Sequence, residues 1–289
     1  MTETSPVPWH LVHTAAHAPI LIRPQGASRL VYSLPHSGRY YPDSFIAEAR
    51  QTPEGLRVSE DAFVDELVAV TPDTGVYGIV SRYARAFCDV NRNALELDAR
   101  LIRGDLPRAA LSLSARVKAG FGVIARRLSA EEDIYRQPLD MPEVNRRLDL
   151  IHRPYHEALK GLLAEARRAG PVVLVDWHSM PSAALNQFRA GEAKPDIVLG
   201  NRHGETCSEG LVRQVRGVLE AAGLRVGLNR PFAGGYIVEA YGKPGAGIEA
   251  LQIEINRALY MDEASLTLHS GADRLKPVFQ TLTEKLKAF

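Results

Sequence analysis

Val172-Val173-Leu174-Val175-Asp176-Trp177-His178-Ser179-Met180-Pro181 begins as an unbroken apolar run of mostly β-branched residues and ends in groups that ionise or bind metal. A run with no polar alternation is the pattern of a strand covered on both faces, as in the parallel or mixed sheet of an α/β protein. Asp176 and His178 lie two residues apart, so in extended chain their side chains share one side. A neutral imidazole is a common metal ligand, and a nearby carboxylate can fix its tautomer. His178 is therefore the anchor of the functional reading. Near the start of the chain the arrangement recurs: Leu30-Val31-Tyr32-Ser33-Leu34 is a short apolar strand followed by Pro35-His36-Ser37-Gly38. In open α/β sheets ligands sit outside the carboxyl ends of the strands, which is where both His36 and His178 would be delivered.

The chain has 289 residues, enough to bury a sizeable core, and is read as a single domain over 1–289. Charged residues make up 24%, the net charge is +1, and 45% of residues are hydrophobic, values ordinary for a water-soluble globular protein. No basic stripe points to nucleic acid, and no apolar stretch is long enough to span a membrane. Met1 to Pro8 has neither the charged start nor the apolar run of a signal peptide, so a cytoplasmic location is expected. Cys88 and Cys207 alone can build neither a disulfide framework nor a cysteine zinc site, so any metal must be held by histidine and carboxylate.

Other segments set out alternatives. His10, His13 and His17 would line one side of a helix as a rival metal cluster, but Pro6, Pro8 and Pro19 crowd that segment. Ser59 or Asp61 could cap a helix over Ala62 to Val70, where Phe63, Leu67 and Val70 keep helical spacing. Val76 to Ser81 and Ala84 to Asp89 read as two strands, the second placing Arg85 and Asp89 on one face. The forks of Arg85 and Arg92 suit a substrate carboxylate, and a structural salt bridge to Asp89 is an equal alternative. His152 and His156 flank Pro154, which should break or kink their helix. Residues 95–141 read as an irregular excursion near the site. The paired glycines of Pro231-Phe232-Ala233-Gly234-Gly235-Tyr236 mark a flexible loop, and alternation in Leu251-Gln252-Ile253-Glu254-Ile255-Asn256 puts Gln252, Glu254 and Asn256 on one side. A carboxylate in a central strand needs a partner.

Dispersed histidines and carboxylates are the parts of a hydrolytic zinc site, in which three protein ligands leave one position for water. His-Glu-x-x-His, phosphate-loop, dinucleotide and nucleophile-elbow motifs are absent. A triad built on Ser37 or Ser179 ranks lower, since each serine directly follows a histidine and neither occupies an elbow.

Pro35-His36-Ser37-Gly38, Arg85-x-x-x-Asp89-x-Asn91-Arg92, Asp176-x-His178-Ser179, Gly234-Gly235-Tyr236 and Gln252-x-Glu254 occur in an order that resembles the N-formylglutamate amidohydrolase family. The resemblance implies a three-layer α/β/α sandwich with a central mixed, mostly parallel sheet, related to zinc carboxypeptidases. It implies one zinc ion and release of formate from N-formyl-L-glutamate. Carried over, His36, Asp61 and His178 are the metal ligands, with Glu60 the neighbouring rival, and Glu254 is the catalytic base. On that reading Arg85 stabilises the oxyanion, Asn91 and Arg92 hold the substrate carboxylate, and Tyr236 closes over the ligand. The histidine-degrading members follow the carboxylate ligand with Trp-His, whereas Ala62-Phe63 stands here. Two other readings use the same scaffold: a deacylase or carboxypeptidase-like hydrolase of another N-acyl amino acid, and a catalytically silent ligand-binding protein. An unliganded Glu254 beside the metal speaks against silence.

Overall fold

The computed structural model describes residues 18–106, 114–129 and 131–289; His10, His13 and His17 lie outside them. The strands are β1 (Ile20–Ile22), β2 (Leu30–Leu34), β3 (Tyr77–Val80), β4 (Ile102–Arg103), β5 (Leu139–Asp140), β6 (Val172–Met180), β7 (Ile197–Gly200), β8 (Val226–Leu228), β9 (Ile248–Asn256), β10 (Met261–Asp262) and β11 (Thr267–Leu268). The α-helices are α1 (Asp43–Glu48), α2 (Pro53–Leu56), α3 (Val64–Val68), α4 (Ala115–Lys118), α5 (Met141–Arg147), α6 (Arg153–Arg167), α7 (Glu209–Ala221), α8 (Tyr236–Tyr241) and α9 (Gly271–Lys287). The chain divides into two compact units of interleaved segments. Of the described residues, one takes 18–20, His36–Glu60 and Ser81–Glu157; the other takes Leu21–Pro35, Asp61–Val80 and Ala158–Phe289.

The second unit is built on a seven-stranded sheet in the order β1-β3-β2-β6-β9-β7-β8. β3, β2, β6 and β9 pair in parallel, β7 runs antiparallel to β9, and β8 is parallel to β7, so the sheet is mixed and mostly parallel as expected. The apolar run at Val172 extends further than its β-branched start: β6 remains in the ladder to Met180 and is buried throughout, carrying Asp176 and His178 inside the sheet. Alternation sorts its side chains. Val173, Val175 and Trp177 join Leu30, Tyr32 and Leu34 of β2 and Leu251, Ile253 and Ile255 of β9 in one core, covered by α3, α7 and α9. The other face carries Ser33, Asp176, His178, Gln252 and Glu254, and α8 packs against β6 and β9. Ser208 caps α7 by accepting the Leu211 N–H at 3.3 Å, ending the segment that leads back from β7.

The first unit gathers its rings around Arg147. This arginine is fully buried, its guanidinium stacked 4.1 Å from the Phe87 ring centroid and paired with Glu143 and Glu48 at 2.7 and 3.0 Å. Such pairing is what allows a charge to be buried. Ala84 to Asp89 is not a strand. The Phe87 N–H returns to the Ala84 carbonyl in a turn, the Ala84 N–H donates to the Tyr40 carbonyl, and Phe87 lies against Arg147. Pro154 does not break its helix: a π-helical turn, Leu148–His152, joins α5 to α6 and absorbs the proline near the start of α6.

Among the described residues, no helix is long and apolar enough to cross a membrane.

Candidate metal and hydrolytic site

His178 sits in β6 opposite Glu254 of β9, and Asp176 sits opposite Gln252. All four are buried and on the sheet face opposite the apolar core. Buried polar groups cost free energy unless they are paired, and here each has a partner. The Ser33 hydroxyl donates to Asp176 Oδ1 at 2.7 Å, and Asp176 Oδ2 lies 2.8 Å from His178 Nε2. The other ring nitrogen, Nδ1, lies 2.9 Å from Asp61 Oδ2. Arg257, one residue beyond β9, donates to Ser179 Oγ at 3.1 Å and to Asp61 Oδ1 at 3.4 Å.

This arrangement has a definite electrostatic meaning. A neutral imidazole has one N–H to give, and His178 has a carboxylate at each nitrogen. With both carboxylates ionised, meeting both takes a second proton on the ring. Burial works against a charged ring, but Asp176, Asp61 and Glu254 outweigh it and hold the His178 pKa well above the ordinary imidazole value.

His36 follows β2 by two residues and is backed in the same way. Its Nε2–H donates to Asp89 Oδ1 at 2.7 Å, which leaves Nδ1 as the nitrogen that Asp89 does not engage. Asp89 also accepts the Asn91 backbone N–H at 2.8 Å and a guanidinium N–H of Arg85 at 2.8 Å. Burial alone would raise its pKa, but His36, Arg85 and Arg92 hold it well below the usual carboxylate range. His152 and His156 donate to the carbonyls of Arg92 and Val90 at 2.8 and 2.9 Å, with rings 4.4 Å apart, so they brace the segment that bears Asp89.

In the second unit Asp61 and His178 bring a carboxylate oxygen and an imidazole nitrogen to 2.9 Å, and in the first unit His36 offers a second imidazole backed by Asp89. Two imidazoles and a carboxylate match the donor set of zinc hydrolases, and both imidazoles have the backing carboxylate that metal-binding histidines require. The set fits a divalent ion. Glu60 has a different destination: it accepts the Tyr41 hydroxyl at 2.7 Å and pairs with Arg57 at 3.4 Å, while burial raises its pKa. Asp61 does not cap the following helix, since α3 starts from Phe63 in a left-handed conformation with no side-chain cap.

The remaining expected site residues are held more tightly than their spacing suggested. Arg85 makes the Asp89 salt bridge. Arg92 gives N–H groups to the Phe121 and Asn91 carbonyls at 3.1 and 2.9 Å and stands 3.9 Å from Asp89. Tyr236 is the first residue of α8. The loop before it is pinned: the Arg202 N–H donates to Ala233 O at 2.7 Å, and the Gly235 N–H donates to Gln252 Oε1 at 2.6 Å. A Cβ at Gly200 would stand 2.9 Å from the Ala233 carbonyl carbon and the Gly234 nitrogen, so the close approach is to β7. Arg257 and Ser33 are given no site role from sequence, and Gln252 enters only through the Gln252-x-Glu254 block, without a role of its own. Gln252 and Ser33 carried a signal, since both sit on the polar side of their strands; Arg257 carried only its place at the end of a buried strand.

Comparison with known proteins identifies relatives of the whole chain. The family model for N-formylglutamate amidohydrolase matches residues 28–261. The N-formylglutamate deformylase of Pseudomonas putida is 30% identical over 247 residues, covering 83% of this chain and 84% of the relative; that of Pseudomonas aeruginosa is 26% identical, covering 92% and 95%. The crystal structure of N-formylglutamate amidohydrolase from Ralstonia eutropha JMP134 superposes with a TM-score of 0.88 at 33% identity, covering 94% of this chain and 98% of that one. Matched over most of its length in sequence and backbone, the chain belongs to the N-formylglutamate amidohydrolase family.

Proposed function

We propose that the protein hydrolyses the amide bond of N-formyl-L-glutamate, giving L-glutamate and formate, with one divalent ion, zinc, held by His36, Asp61 and His178. The observation that carries this reading is the placing of Asp61 beside His178 Nδ1, with Glu254 in register with His178 on the same sheet face. When bound, such an ion supplies Lewis acidity, polarising an acyl carbonyl and acidifying a water molecule.

The chain's own residues do the rest. Glu254 takes a proton from the attacking water, whose oxygen joins the formyl carbon, and returns that proton to the amine as the C–N bond breaks. Asp176 and Asp89 fix the orientation of the two imidazoles. Arg257 holds the second oxygen of Asp61. Arg85 is the proposed donor to the developing oxyanion, and Asn91 and Arg92 the proposed hold on the substrate carboxylate, with Asp89 setting the orientation of the arginines. Tyr236 is assigned to the substrate side because it starts the helix beside the Gln252–Glu254 pair.

A screen of N-formyl, N-formimino, N-acetyl and N-succinyl amino acids, read by amine release with and without chelator, tests the reading. N-formyl-L-glutamate should be the fastest substrate, and chelation should abolish turnover. Chelator-resistant turnover would remove the metal; a faster acetyl or succinyl substrate would remove the deformylase. The Ala62-Phe63 departure next to Asp61 is the reason for including the other acyl groups.

A further inference from the structure

The Gln252 side chain is 4% exposed and stands between the Gly235 backbone and the Glu254 carboxylate. Its orientation is fixed by chemistry. A backbone N–H can only donate, so the oxygen of the Gln252 amide must face Gly235, at 2.6 Å. The amide nitrogen is then turned to Glu254 Oε1, at 2.8 Å. The terminal torsion of a glutamate is broad and poorly fixed by sterics, so a donor on one oxygen helps to set the plane of the carboxylate. The reference point at the other end is firm: Gly235 follows Gly234, whose φ of +127° and lack of Cβ admit the tight turn, and Ala233 is tied to Arg202.

We infer that Gln252 is a positioning residue for Glu254, transmitting the backbone position of Gly235 to the oxygen atoms that handle the proton. The inference rests on the reading of Glu254 as the base. It also gives the Gly234-Gly235 pair a task other than mobility: these glycines form the fixed end of a three-member relay, Gly235 N–H to Gln252 to Glu254.

Gln252→Leu removes both bonds at similar size. Misplacement of a reacting group by about 1 Å can cost roughly 10²-fold, so kcat should fall about 10- to 10²-fold, with KM within about twofold and metal content unchanged. Exchange of the Gly235 amide with deuterium should speed up. The same substitution in a Glu254→Gln background should cause no further loss, because the residue acts only through that carboxylate. Gln252→Glu keeps size and the acceptor for Gly235 but sets a carboxylate against a carboxylate. It should keep the Gly235 amide protected and still lose kcat, which keeps the test usable if the leucine variant fails to fold. Normal kcat in either single variant would overturn the inference, as would an equal loss in the Glu254→Gln background. Near-normal turnover of Glu254→Gln alone would instead overturn the base assignment.

Discussion

The two faces of β6 and β9 are equally buried and do opposite things. On one, Val173, Val175, Trp177, Leu251, Ile253 and Ile255 pack under α3, α7 and α9, where removal from water is itself the stabilising term. On the other, Asp176, His178, Gln252 and Glu254 are buried to a similar degree, and burial there costs free energy that hydrogen bonds only offset. Alternation lets one backbone serve both. The apolar face fixes the strands in register; the polar face uses that register to hold ionisable groups in places they would not occupy unaided.

Substitutions on the polar face should therefore change metal and chemistry more than stability, and the largest effect should come from the ligands. His178→Ala and His36→Ala should each abolish stoichiometric metal retention, measured by elemental analysis of protein purified without chelator, and turnover with it. Full retention in either variant would break the comparison at its strongest point. Asp176→Asn sharpens it. The asparagine keeps the shape but weakens the hold on His178 Nε2–H, so metal affinity should fall about 10- to 100-fold while the sheet stays intact. Unchanged affinity in a competition titration would mean that Asp176 is only a structural partner.

A smaller effect follows from charge. In the metal-free protein burial opposes the His178 proton, but the surrounding carboxylates raise its pKa well above 6.5. A raised folded-state value contributes stability that is fully present below the unfolded value and lost as pH rises through the folded one. Metal-free protein should thus lose stability on the alkaline side while loaded protein does not. Zinc binding near pH 7.5 should release a proton from an imidazole that would ordinarily be mostly neutral there, seen by calorimetry in two buffers of different ionisation heat. No buffer dependence would contradict the assignment. The smallest effect belongs to the apolar side. Tyr32 reaches from β2 to Thr283 of α9, hydroxyl to hydroxyl at 2.9 Å. Tyr32→Phe should cost about 1 kcal/mol in denaturant unfolding and leave kcat unchanged; a kinetic defect would show that the faces are coupled.

The fold was legible where one physical signal acts alone. An apolar β-branched run identified β6, strand ends located His36 and His178, and period-two alternation placed Glu254. Legibility failed where the answer depends on contacts distant in sequence. Asp61 and Glu60 are neighbours of the same chemical kind, yet Asp61 meets His178 and Arg257 while Glu60 meets Tyr41 and Arg57. Only the backbone path decides between them. Ala84 to Asp89 has the composition of a strand, but an apolar run that short is ambiguous; its backbone turns, and Phe87 lies against the distant Arg147. The paired glycines before Tyr236 signalled a special backbone correctly, but not whether its purpose was movement or close packing.

The most direct test compares two adjacent residues of one strand. Ile253 and Glu254 differ by a single step along β9 and point to opposite faces. Ile253→Ala should cost about 2–5 kcal/mol of stability with kcat per folded molecule unchanged. Glu254→Gln should keep fold and metal and lose about 10² to 10⁴ in kcat for N-formyl-L-glutamate. A glutamine variant that retains metal and turns over normally would contradict the account.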